Sequence, residues 1–202
     1  MPMTEPPTGL RDRLVDVGVE LVAAEGAQAL TLREIARRAG VSHGAPRRHF
    51  PTHLELLSAI ARRGFAELAD RARTALAQVD GTGKEPVAAA RAQLTELGRA
   101  YLEFALGNPG MYELMFRHDL LESGHLGLRD TSLPLFGVLV DLVGRVRPEA
   151  HAPTVAGALW ANLHGVAQLW SWGSLQLATK SQDFTPVLRA ALDAHLGPEA
   201  PA

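Results

Sequence analysis

The chain has 202 residues, 47% of them apolar and 21% charged, with a formal net charge of −2. That length suits one large domain, or a small module attached to a body with its own core. The absence of cysteine excludes disulfide frameworks and thiolate metal sites, and the near-neutral balance gives no bulk signature of a nucleic-acid binder.

Residues 1–10 carry neither a basic region nor an apolar run, so they read as a disordered lead-in rather than a secretory leader, and a cytoplasmic protein is expected. Apolar residues then recur every three or four positions almost everywhere, without sustained alternation, which predicts an all-α chain. A first helix is expected from about Leu10 to Glu25, with Leu14, Val17, Leu21 and Val22 on one face and Gly26 as its stop. Thr31 with Glu34 has capping-box spacing, and Leu32, Ile35, Ala36 and Ala39 share a face of the helix it opens. Gly40 ends that helix where a left-handed residue is needed, and Ser42 is the expected N-cap of a second short helix over 42–49. Two short helices about a tight turn are the layout that places the second helix in a DNA major groove. Between Arg33 and Arg48 five arginines stand against the single acid Glu34, a patch suited to neutralising phosphates.

Pro51 breaks the chain, and Thr52 with Glu55 starts a long helix to Val79 whose stripe is Leu54, Leu57, Ala61, Phe65, Leu68 and Ala72. Residues 80–86 form a breaker cluster and are read as a linker. Further helices are expected over 87–106, from Pro109 through Phe116, and over 132–146, 152–178 and 184–196, with residues 118–130 a loop of marginal helix. The stretch between Glu149 and Lys180 lacks charged residues, but Asn162, His164, Gln168, Ser171, Ser174 and Gln176 interrupt it, so a buried or interfacial helix is expected rather than a membrane span.

These residues resemble the TetR family of bacterial transcriptional regulators. The match is carried by Leu32-Arg-Glu-Ile-Ala-Arg-Arg-Ala-Gly-Val-Ser42, the Gly44-Ala45 pair and His49-Phe50. It implies an N-terminal three-helix head with a helix-turn-helix at 10–70, and a larger helical ligand-binding and dimerisation body at 85–197. By resemblance, Thr31, Ser42, Thr52 and His53 lie near phosphates while His43, Gly44, Ala45, Arg47 and Arg48 face the groove; Arg33 and His49 join them from the same basic stretch. The chain departs from the family in having Pro46-Arg47 where many members have Leu-Tyr. Proline in a first helical turn costs little, whereas Arg47 is either a bidentate reader of guanine or a phosphate contact.

Trp160-Ala-Asn-Leu-His-Gly165 looks like a motif of one TetR subgroup, and Tyr101–Phe116 is similar to that subgroup's aromatic segment. Trp160, His164, Ala167, Ser171 and Ser174 fall on one helical stripe with Leu163 and Trp170 beside it. Two readings stay open for this set, and for Phe104, Met111, Tyr112, Met115 and Phe116: walls of an apolar effector cavity, or ordinary core packing. The partners implied are double-stranded DNA, a second copy of the chain and a largely apolar small molecule, with no membrane. No cofactor, metal or catalytic constellation is expected, although His118, His125, His151 and His164 leave a metal-binding or enzymatic alternative open.

Overall fold

The computed structural model describes residues 9–79, 85–117, 119–120 and 127–198. Among them the chain is all-helical, as expected. The helices are α1 (Leu10–Glu25), α2 (Leu32–Arg38), α3 (Ala45–His49), α4 (His53–Gln78), α5 (Pro86–Gly107), α6 (Pro109–Met115), α7 (Leu128–Val146), α8 (Ala152–Ser171), α9 (Ser174–Thr179) and α10 (Thr185–Leu196), with a 3-10 turn at Ala27–Ala29. Two compact units result, one within residues 1–66 and 108–131, the other within 67–107 and 132–202. The expected lead-in (1–8), most of the linker (80–84), His118 and His125 lie outside the described residues.

In the first unit α1 packs on α2, α3 and α6. Leu14, Leu21, Ile35, Phe50, Leu56 and Ile60 make its core. A side chain at Gly18 would run into Ile60, so this glycine permits the close approach of α1 and α4. α2 ends in a Schellman motif: the Gly40 N–H donates to the Arg37 carbonyl and the Val41 N–H to the Ala36 carbonyl, with Gly40 left-handed at φ 67°. α6, expected in the regulatory body, packs against α1 and the 3-10 turn. A Cβ at Gly110 would stand 2.6 Å from the Val22 carbonyl oxygen.

The helix expected over 42–49 is shorter, and Ser42 is not its cap. An N-cap at 42 would need its carbonyl to accept from residue 46, but that residue is proline and has no N–H. The Ser42 carbonyl accepts from Ala45 instead, and α3 begins at Ala45 with Gly44 as N-cap and Pro46 in the first turn. The capping box at α2 is one-sided. Thr31 Oγ1 accepts from the Glu34 N–H at 3.2 Å, but the Thr31 N–H donates to the Ala29 carbonyl and the Glu34 carboxylate is held by arginines.

In the second unit α5, α8 and α10 pack together around Leu94, Leu102, Phe104, Leu159, Leu163, Leu188 and Leu192. Two boundaries differ from expectation. The helix expected over 152–178 is interrupted at Gly173, which sits left-handed at φ 75° and starts the separate α9. α7 starts at Leu128, four residues before the expected 132, so Pro134 lies inside it. No helix among the described residues is long and apolar enough to cross a membrane.

Candidate nucleic-acid interface and aromatic wall

α3 is held by its own hydrophobic ends. Pro46 and Phe50 are buried while Arg47, Arg48 and His49 between them are exposed, as are Ser42, His43 and Gly44 in the preceding turn. Ala45 is half-buried. The Arg11 guanidinium lies over the Phe50 ring at 4.9 Å, bracing the end of α3 from α1.

The five arginines divide into two groups. Arg37 donates from Nε and Nη2 to the Glu34 carboxylate at 2.9 and 2.6 Å, and Arg38 Nε donates to the same carboxylate at 2.7 Å while its Nη2 reaches Glu25. These hydrogen bonds, Arg37 first and then Arg38, hold the Glu34 carboxyl at a pKa of about 2. The side chains of Arg33, Arg47 and Arg48 make no ion pair or hydrogen bond with another described residue. Glu25 is a contributor that sequence spacing did not reveal, because it reaches Arg38 from the end of α1.

Thr31 and Thr52 mark two helix starts in this unit, Thr52 Oγ1 accepting from the Glu55 N–H at 3.1 Å. The His53 ring is already engaged, its Nε2 lying 2.7 Å from the Leu30 carbonyl oxygen. It ties the start of α4 to the residue just before Thr31, a positioning contact.

The candidate effector residues fall in both units. Met111, Tyr112, Met115 and Phe116 belong to the first, where Phe116 meets Phe65 edge-on at 5.8 Å and Tyr112 at 4.9 Å. A Cβ on Gly64 would stand 2.5 Å from Met115 Sδ and 2.7 Å from Met111 Cγ, so α6 lies closely on α4 there. Phe104, Leu163, Ala167 and Trp170 are buried in the second unit, Trp170 meeting Phe184 edge-on at 6.1 Å. Trp160 is 41% exposed and His164 half-buried.

Trp160 and His164 are joined by Tyr101, which spacing along α8 alone did not single out. Trp160 Nε1 donates to Tyr101 Oη at 3.3 Å, and Tyr101 Oη lies 3.0 Å from His164 Nδ1. Indole N–H only donates, so the tyrosine oxygen accepts from it, and the tautomer of His164 sets which of Tyr101 Oη and Nδ1 donates in the second bond. Burial lowers the His164 pKa, in keeping with a neutral ring. Phe136 on α7 closes the other side of Trp160 at 6.1 Å. The result is a partly open aromatic wall with a linked chain of polar atoms, the mixture a small-molecule site requires. Among the described residues no three His, Asp or Glu side chains gather as a metal site. His151 is engaged with Thr154 Oγ1 at 2.8 Å.

A sequence model described as "Bacterial regulatory proteins, tetR family" matches residues 14–60, and one described as "Tetracyclin repressor-like, C-terminal domain" matches residues 94–195. The chain belongs to the TetR family. It is therefore one of the DNA-binding transcriptional regulators. The HTH-type transcriptional regulator SrpR of Pseudomonas putida is 44% identical over 50 residues, which are 25% of this chain and 24% of that protein. The uncharacterized HTH-type regulator TtgW, also of Pseudomonas putida, is 44% identical over 50 residues, 25% of this chain and 37% of TtgW. The matched segment thus spans about a quarter of SrpR and little more than a third of TtgW. A solved structure from Rhodococcus sp. RHA1, of a protein of unknown function, is similar over 96% of this chain and 97% of that one, at 26% identity and TM-score 0.78.

Proposed function

We propose that this TetR-family regulator is a ligand-responsive dimeric repressor that binds a palindromic operator through α3 and the turn before it. Residues 10–70 serve as the DNA-binding domain and 85–197 as the regulatory and dimerising part, in a cytoplasmic protein. The observation that carries the reading is the partition of the arginines. Arg37 and Arg38 are spent on Glu34 and Glu25, while Arg33, Arg47 and Arg48 stand exposed around a short helix whose buried ends fix its direction. Cations arranged in this way suit phosphates and guanine edges. Of the other candidates, Ser42, Thr31 and Thr52 are proposed to meet phosphates, and His43, Gly44, Ala45 and His49 to line the approach to the bases.

A second copy is proposed to cover α8. Ala158, Ala161, Leu169 and Trp172 lie on the face of α8 away from its buried residues, and Trp172 is 69% and Leu169 41% exposed. Apolar side chains at such a density are normally covered, and a twofold pair sets two recognition helices about one DNA turn, roughly 34 Å, apart. Trp160, Tyr101, His164 and Phe136 are proposed to form one wall of the effector site. Ligand and operator prefer different states of the dimer, with α4 as the lever, and linkage requires each to weaken the other by the same factor.

Selection of bound fragments from the source organism's genome tests this reading. Recovery of a shared inverted repeat is the expected result, and recovery of fragments no different from input DNA at physiological salt overturns it.

A further inference from the structure

The second unit holds a cleft of about 720 Å3 between α5 and α10, floored by the end of α4. It contains none of the aromatic residues described above. Its two helices meet in rungs one turn apart. Arg91 pairs with Asp193 at one end, and at the other Arg99 Nη1 donates to Thr185 Oγ1 at 3.4 Å. The middle rung sets Thr95 and Arg189, one turn from each neighbour, into the same cleft, and Arg189 has no ion pair or hydrogen bond with a described residue. Beyond its hydrogen bond to Thr185, Arg99 has a 3.7 Å approach from Glu96 and the more distant charge of Asp183. Two guanidinium forks therefore open on the cleft with most of their donors unused.

We infer that this cleft binds a small organic monocarboxylate, its head on Arg189 and Arg99 and its hydrocarbon part along Val79, Leu188 and Leu192. A carboxylate matches a guanidinium fork through two parallel hydrogen bonds. Glu96 and Asp193 in the same cleft disfavour a second negative charge, which selects against dianions. The volume lies within the range of about 300–1,000 Å3 usual for small-molecule sites, far more than a bare ion fills. The cleft is compatible with the proposed dimer, because the exposed Ala190 and Ala194, about 100° and 140° from Arg189 around α10, leave a side of that helix free for a partner.

The test is isothermal titration of the full chain with hexanoate, with ionic strength matched by sodium chloride. Hexanamide and inorganic phosphate are run as comparisons. Saturable hexanoate binding is expected, with little or none for the other two, and Arg189→Gln and Arg99→Gln each weaken it at least tenfold while unfolding at the wild-type temperature without ligand. Absence of hexanoate binding, equal binding by both variants, or equal binding of hexanamide overturns the site. Phosphate binding as tight as hexanoate overturns the carboxylate assignment. DNA binding is not the readout, so failure here is distinct from failure of the repressor reading.

Discussion

Arg47 and Arg48 are neighbours on a helix, which points them about 100° apart, so they cannot play the same part against one surface. Alanine at either position weakens operator binding, and the pattern across sequences separates their roles. Loss of a base contact relaxes preference at one operator position by about 1–3 kcal/mol, whereas loss of a phosphate contact weakens all sequences alike and lowers the salt slope by about 1. Randomised-operator selection with each variant reads both quantities. His164 carries a second expectation at this scale. Its imidazole, depressed by burial, titrates below the ordinary histidine value of 6.5. The unfolded chain takes up this proton first as pH falls, so the stability associated with the neutral ring is complete above pH 6.5 and declines below it. Imidazole chemical shifts followed against pH check the direction, and a wild-type ring titrating at or above 6.5 refutes it.

The helix starts and stops depend on one or two residues each. Gly40 holds φ 67° at the end of α2, a conformation that costs a residue with a Cβ about 1–2 kcal/mol. Gly40→Ala is expected to lose that much in denaturant unfolding. The Glu34 cluster is an exposed counterpart. With the Glu34 carboxyl pulled down to about 2, its pairing with Arg37 and Arg38 is fully present above the ordinary value of 4.5 and is lost as pH falls toward 2. Melting temperatures of wild type and Glu34→Gln should therefore converge across that interval and differ above it. Such local devices explain what was legible in the sequence. α1, the stop at Gly26, the start of α4 at Thr52 and its stripe of Leu57, Ala61, Phe65, Leu68 and Ala72 follow from caps and periodicity within a few residues. The start of α3 was less legible because two signals competed there, the capping chemistry of Ser42 and the missing amide of Pro46. The break at Gly173 is not legible because a lone glycine within a helical pattern is tolerated at a cost of about 1 kcal/mol. The Trp160–Tyr101–His164 chain and the pairing of Arg38 with Glu25 join separate helices, which no spacing rule reaches.

For the whole molecule the expectation concerns assembly. The buried side of α8 is formed by Ala156, Leu159, Leu163, Val166, Ala167 and Trp170. Its opposite side brings small residues, Ala158, Ala161 and Gly165, into line with Leu169 and Trp172. Small residues allow helices to approach closely and the two larger ones supply apolar area, so a copy of the same helix is a suitable cover. An isologous contact doubles every substitution, because each residue occurs on both sides. Trp172→Glu places two carboxylates in one apolar interface and removes two indoles, while a single chain carries this residue 69% exposed and loses little by the change. The variant is expected to sediment as a monomer with the helical content and melting behaviour of a folded chain. Its operator affinity should fall far more steeply than its affinity for non-specific DNA, since one head retains its phosphate contacts but loses the second half-site. A dimeric Trp172→Glu variant with unchanged operator binding would show that the pair is built on another face.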